Sequence, residues 1–555
     1  MFRSSKKEKQ LDMFSSVSNM LKGTTQEQFN NPEAWHNMFR VHVLERIDEE
    51  LFIPLFDDKT GAPNASVKVL VGMMILKEGF GWSDSELFEH CRFNLLVRSA
   101  LGMFNINDII PVESTYYLFR KRIHEYHKET GVDLIEEVFH QVTGSQAMEF
   151  RVSGRSVRMD SKLIGSNIAF SNRYEVVHDT LVLFYREMIK LAPIKVSKKI
   201  VTQLKELSEI KSNKVVYKSV GDEVQRRLQE LGILCYKLLK AYKEKDNKYY
   251  STLKRVFEDQ FNHRDGGIII KPPKEIKSDS VQSAHDTECA YRNKDGQPPV
   301  KGYSINATET CDENSLNLIT DIQLAPANKP DTEFVKPALE STSGILGHKP
   351  DALHADGAFN SPDNVKYCEQ ENITHYFSAV AGLPGRYDLE LNNGELTIID
   401  TKTGQVMPVY QTKSGNWGIK TENGYRYFSE HAIETSLLRK QIDKVPVSIR
   451  NKRNNIEATI FQMSYHTRNN KTRYRGAFNN KSWAILRSMW INLRRIRTYI
   501  GENYANVIPL DQIMQLKQVF IQEINLDFVF DSLIYLLYRF FKKSYNYSLI
   551  VVDLK

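Results

Sequence analysis

Cysteine is scarce in this chain. Its 555 residues hold five (Cys91, Cys235, Cys289, Cys311 and Cys368), odd in number, scattered and without a C-x-x-C pair. That pattern argues against a disulfide framework or a cysteine zinc site, and it suits a reducing compartment. Long apolar runs are lacking too. The run from Val69 to Leu76 is far below the ~20 residues of a membrane span. The opening Met-Phe-Arg-Ser-Ser-Lys-Lys-Glu-Lys has charge but no apolar stretch behind it, so no secretory signal is expected. No G-x-S-x-G occurs, and Gly79-Phe80-Gly81 lacks the third glycine of a dinucleotide fingerprint. His285, His354 and His375 have no metal-ligand spacing. The expectation is a soluble cytoplasmic protein with no membrane contact.

What is present is ordinary in bulk and uneven in placement. The apolar fraction is 41% and the charged fraction 26%, near globular averages, so real cores can form. At ~150 residues per domain the length suggests about three or four units. Net charge is only +7, and its distribution matters more than its size. Residues 439–500 hold fifteen Lys/Arg and just two acids, Asp443 and Glu457.

Residues 1–40 are polar and read as an N-terminal arm with a short helix. Residues 41–148 read as a helical N-terminal domain, a possible DNA binder. Val67, Leu70, Val71, Met74 and Ile75 repeat at three and four residues, which predicts a helix with one apolar stripe. Ser66 and Ser83 are placed to cap helix starts. Residues 149–500 read as an α/β catalytic domain. Its strands are expected at 155–170, 300–308, 318–324, 352–355 and 374–379, with a hairpin turn at Cys311-Asp312-Glu313-Asn314. A helical insertion is expected at about 172–280. Asn393-Gly394, Thr403-Gly404, Ser414-Gly415 and Asn423-Gly424 lie about ten residues apart, which predicts a small antiparallel meander inserted at about 385–428. Residues 501–555 read as a C-terminal helical packing segment.

Three acids stand out as one constellation. Asp160 ends the strand-like Arg155-Ser156-Val157-Arg158-Met159. Asp356 follows the short apolar run Ala352-Leu353-His354-Ala355. Glu457 is nearly alone among bases, four residues after Arg453. Singly, each has a plain reading: a turn residue, an Asp-Gly turn, a helix carboxylate in an i,i+4 pair. Together, two strand-end acids and one helix acid can converge on hard divalent cations, Mg²⁺ or Mn²⁺. Two such ions suit phosphodiester chemistry. Glu430 and Glu434 are reserve candidates for the third ligand. Asp286-Thr287-Glu288 reads as a solvated loop or an auxiliary acidic site. Trp483 and Trp490, seven apart, read as core residues sooner than base-stacking ones. The basic stretch reads as a phosphate-binding surface.

These residues also carry a resemblance. Val157-Arg158-Met159-Asp160-Ser161-Lys162, His285-Asp286-Thr287-Glu288, Lys301-Gly302-Tyr303-Ser304-Ile305-Asn306, His354-Ala355-Asp356-Gly357-Ala358-Phe359, Arg453-Asn454-Asn455-Ile456-Glu457, Arg473-Tyr474-Arg475-Gly476 and Asn492-Leu493-Arg494-Arg495 follow in that order. Over most of residues 40–500 the chain resembles a bacterial insertion-sequence transposase of the DDE type. The resemblance implies an RNase H-like mixed-sheet core and Asp160, Asp356 and Glu457 as catalytic metal ligands. It implies two Mg²⁺ (or Mn²⁺) ions per site and a nucleoid-associated location. It also implies DNA contacts by Arg453, Arg450, Lys452, Arg468, Lys471, Arg473, Arg475, Arg494 and Arg495. The partners implied are double-stranded DNA, as terminal inverted repeats and target, and further copies of the chain in a dimer or higher synaptic assembly. Two departures stand. The basic residue often found seven after the Glu is Ser464 here, leaving His466, Arg468 or Lys471 to serve; and a cysteine cluster before the Glu motif is absent. A catalytically inactive DNA-binding derivative and a metal-dependent nuclease without strand transfer are the alternative readings.

Overall fold

The computed structural model describes residues 2–4, 15–57, 63–189, 195–217, 221–243, 247–264, 267–294, 296, 298–378, 385–392, 395–412, 415–422 and 424–504. In chain order its strands begin with β1 (Ser156–Gly165) and a hairpin, β2 (Phe261–Arg264) with β3 (Gly267–Ile270). They continue with β4 (Ala290–Arg292), β5 (Val300–Thr310), β6 (Ile319–Pro326), β7 (Ala352–Ala355) and β8 (Thr374–Phe377). The main sheet runs β4-β5-β1-β7-β8, with β6 also on β5. β5 pairs antiparallel with β1, β4 and β6, while β1–β7 and β7–β8 are parallel. Parallel neighbours need crossovers, supplied by the helices Val335–Leu346 and Pro362–Gln370. Antiparallel strands first and parallel crossovers after make a mixed α/β sheet.

Alternation along β1 decides what each sheet face does. Val157 and Met159 are fully buried against Leu339, Leu353, Phe359 and Cys368, under the crossover helices. Arg158, Asp160 and Lys162 therefore point to the opposite face. There the helix Ile456–Ser464 packs on β1.

Between β1 and β4 the chain inserts helices, among them Arg173–Phe184, Gly221–Ala241 and Lys248–Gln260. They close a core of their own around Leu181, Phe184, Leu238, Leu253 and Val256. The β insertion follows β8 as β9 (Tyr387–Asn392), β10 (Glu395–Asp400), β11 (Val406–Met407), β12 (Val409–Gln411), β13 (Trp417–Thr421) and β14 (Gly424–Phe428). It is antiparallel as expected, but it forms two three-stranded sheets where one meander was expected. The break falls at Pro408, which has no N–H to give a ladder.

The N-terminal region is helical. Ser66 caps the helix Val67–Phe80, and Ser83 with Glu86 makes a capping box on Asp84–Phe93. The single apolar stripe expected on Val67–Phe80 is a correction. Val69, Met73, Leu76, Lys77 and Glu78 are buried as well, because neighbouring helices cover the apolar residues and Tyr474, from a loop, covers Lys77 and Glu78. The helix Trp35–His42, which crosses the boundary expected at residue 40, puts Trp35 against Phe80 and Trp490.

The long helix Ala477–Tyr504 buries Trp483 and Trp490 in the core, as weighed from their spacing. Trp490 lies so close to Gly79 that a Cβ there would stand 2.6 Å from its ring. Asn492 pairs with β6 like a further strand, accepting from Ile319 N at 2.8 Å and donating to Ile319 O at 2.9 Å. By contacts the chain forms two units, Met1–Leu493 and Arg494–Lys555. Most of the C-terminal segment expected at 501–555 lies outside the described residues. No helix among the described residues is long and apolar enough to cross a membrane.

Candidate active site

Strand pairing places the two aspartates. β1 and β7 are parallel in the register Val157↔Leu353 and Arg158↔His354. Continuing it two residues sets Asp160 beside Asp356. Both carboxylates are held by neighbouring amides. Asp160 Oδ1 accepts from Ser161 N at 2.8 Å, and Asp356 Oδ1 accepts from Gly357 N at 2.6 Å and Ser378 Oγ at 3.1 Å.

A buried clamp brings the third acid. Arg158 and Glu309 stand opposite each other on β1 and β5, and Arg158 Nε donates to Glu309 Oε1 at 2.6 Å. Thr459 Oγ1 donates to the other glutamate oxygen at 2.7 Å, and Arg158 Nη1 donates to Lys452 O at 2.9 Å. Lys162 Nζ, farther along the same β1 face, donates to Ser464 Oγ at 2.7 Å. These four bonds fix both ends of the segment that carries Arg453 and Glu457.

Arg453 then joins all three carboxylates. Its guanidinium lies 3.9 Å from Asp160 Oδ2, 3.9 Å from Asp356 Oδ2 and 3.3 Å from Glu457 Oε1. The i,i+4 pair exists, yet it is part of a larger cluster. The three acids share this cation without being drawn as tightly together as another trio, Glu136, His140 and Asp321, whose ligand atoms lie within 4.8 Å of one another. Burial is the main cause that pushes the Asp160 carboxyl up to about 6. The Ser161 amide and Arg453 oppose the rise, and the charges of Asp356 and Glu457 add to it. Glu457 is well exposed, Asp356 half-exposed and Asp160 mostly covered. The three carboxylates are hard oxygen donors, open on one side, of the kind that could hold Mg²⁺ or Mn²⁺. Glu430 and Glu434, the reserve candidates, lie on the helix Glu430–Lys444 and take no part in the ion pairs to Arg453.

The basic residues fall into two groups. Arg473 donates to Gly81 O and Trp82 O, Arg475 Nε to Asn167 O at 2.7 Å, and Lys471 to Ile168 O. These three are tied to the chain's own backbone. Lys452 sits 3.4 Å from Glu313 and half-buried, Arg450 is half-buried, and Arg468 is exposed. Arg494, exposed, and Arg495 belong to the second unit. Of the stand-ins for the basic residue seven after Glu457, His466 packs on Gly81 and Lys471 is engaged, which leaves Arg468.

Asp286 requires a correction. It is no solvated loop residue but is 3% exposed, taking bonds from Ser166 Oγ, Tyr303 Oη at 2.7 Å and Gly476 N at 2.9 Å. It knots β1, β5 and the approach to the helix Ala477–Tyr504. Sequence reading also missed Lys162, Ser378 and the Arg158–Glu309–Thr459 clamp. Strand alternation from Asp160 could have found Lys162 and Arg158; nothing local marks Glu309, Thr459 or Ser378.

No curated protein and no solved structure matches the chain. Residues 25–122 match the family model described as Transposase domain (DUF772), so the helical N-terminal region is similar to a transposase domain.

Proposed function

We propose that the protein is a DDE transposase. It would bind the terminal inverted repeats of its own element, cut the DNA at their ends and join the freed 3′ ends to target DNA. The observation that carries this reading is the gathering of Asp160, Asp356 and Glu457 around Arg453, beside a region similar to a transposase domain.

The three carboxylates would hold two Mg²⁺ or Mn²⁺ ions. When bound, such ions polarise the phosphate and make the attacking oxygen more acidic. The chain's own residues bind and orient. Arg453 presents a planar fork suited to a phosphate oxygen. The clamp on the helix Ile456–Ser464 keeps Glu457 in reach of Asp160, in the middle of β1, and of Asp356, just past the end of β7. In cleavage, water oxygen bonds to phosphorus, the bond to the 3′ oxygen breaks, and that oxygen leaves as a hydroxyl. In joining, this 3′-hydroxyl attacks a target phosphodiester and the target's own 3′ oxygen leaves. One phosphodiester forms for each one broken, so no external energy source is required. A dimer or higher assembly would hold two ends together.

The test is Asp356→Ala. End cleavage in Mg²⁺ should be lost while end binding stays nearly intact. Full cleavage by that variant would overturn the assignment.

A further inference from the structure

We propose that Glu136, His140 and Asp321 form a second divalent-cation site, suited to Zn²⁺, that fastens the helix Leu134–Glu149 to strand β6. Glu136 and His140 are four apart and so share one face of that helix. Asp321 comes from β6, beneath it. One ligand atom from each lies within 4.8 Å of the other two.

The second observation is an unanswered oxygen. Asp321 is fully buried, and Gln323 Nε2 donates to its Oδ1 at 2.9 Å. Its Oδ2 is buried and makes no hydrogen bond, although the nearby Ser341 hydroxyl acts on the same carboxyl and opposes the rise that burial gives its acid. A buried carboxylate oxygen left without a partner is costly, and a cation at this point removes the cost. Lys481 does so only in part, its charge favouring the ionised Asp321 without a hydrogen bond to it. Its Nζ lies 2.7 Å from Glu136 Oε2, and its hydrogen bond goes there. His140 is oriented by Ser341 Oγ, 3.2 Å from its Nε2, the kind of outer contact that fixes a ligating imidazole. Glu136 and His140 are half-buried, so an ion can enter from solvent past them to the buried aspartate.

The donor set names the ion. One imidazole nitrogen and two carboxylate oxygens suit Zn²⁺, whereas Mg²⁺ prefers oxygen alone. Three protein ligands leave a position for water. The site shares no residue with the Asp160 cluster and lies on other elements.

The experiment is a Zn²⁺ titration of full-length protein, stripped of metal, by calorimetry and thermal melting. Asp160→Asn and Asp356→Asn are included to silence the other carboxylate cluster. A parallel titration of the unmodified protein in saturating Mg²⁺ serves the same purpose without substitution. The expected result is one-to-one Zn²⁺ binding and a raised melting midpoint. His140→Gln and Asp321→Asn should each lose both, while their metal-free circular dichroism matches the parent. No Zn²⁺ step in the parent, or an unchanged step in both variants, overturns the proposal.

Discussion

Arg453 is where the charges of the candidate site balance. One guanidinium answers three carboxylates, and Asp160, pushed up by burial first and by its acidic neighbours, depends on it. Arg453→Ala should lower end cleavage by about 10²-fold, the scale for losing one donor aimed at developing charge. Arg453→Lys should restore only part, since an ammonium lacks the planar fork; steady-state cleavage assays separate the three. A second prediction concerns pH. Glu149 is partly buried, which alone would raise its acid. Hydrogen bonds and charge from His42 and Arg46 outweigh that and hold it at about 2, from an ordinary 4.5. A folded carboxyl that ionises more readily than the unfolded one stabilises the protein above the unfolded value. That contribution fades as pH falls from 4.5 through about 2. The melting-midpoint gap between wild type and Glu149→Gln should therefore be full near neutrality and narrow below about pH 4.5. A gap that widens on acidification would contradict it. At this scale the three acids were legible in the sequence, because their order and Glu457's isolation among bases are local facts. Their sharing of Arg453 was only half legible. The i,i+4 spacing gives the Glu457 contact, but the two aspartates reach it through strand pairing.

The element that decides the site is the helix Ile456–Ser464, and its anchor is Glu309. That carboxylate is fully buried between Arg158 and Thr459. Removing one partner of a buried pair leaves the other charge unanswered and costs roughly 3–5 kcal/mol. Glu309→Ala should lose stability on that order, measured by urea unfolding. Thr459→Val removes a bond to a charged group, worth about 1.5–3 kcal/mol. It should reduce cleavage more than end binding, since it frees the Glu457 helix and touches no basic surface. Equal loss of both would count against the clamp. Gly302 tests the sheet itself. A Cβ there would stand 2.0 Å from Ile164 O, and backbone cannot yield as a side chain can. Gly302→Ala should therefore lower the melting midpoint sharply.

For the whole molecule, the basic stretch holds residues in two situations that composition could not separate. Arg468 is exposed, whereas Arg473 is spent on Gly81 O and Trp82 O. Binding to end DNA should fall steeply with salt. Arg468→Ala should reduce the salt slope by about one. Arg473→Ala should instead lower the melting midpoint, because it loosens the N-terminal helices from the core. A flat salt response would remove the DNA role from this stretch.

The sequence by itself determined what is periodic or local. The stretch before Asp160 marked a strand, though with Asp160 as its end, whereas β1 runs on past Asp160 to Gly165. Ser66 and Ser83 set helix starts, glycine-bearing turns set the β insertion, and the seven-residue spacing of Trp483 and Trp490 set a buried helix face. The tertiary structure decided what joins distant parts of the chain. It set Asp160 beside Asp356 through the parallel register of β1 and β7. It hung the Glu457 helix on Glu309, and it buried Asp286 and Asp321. The physical reason is that a carboxylate's neighbours are set by strand register and by hydrogen bonds across more than a hundred residues. An aspartate reads the same in sequence whether it turns a loop, knots a core or waits for a metal ion.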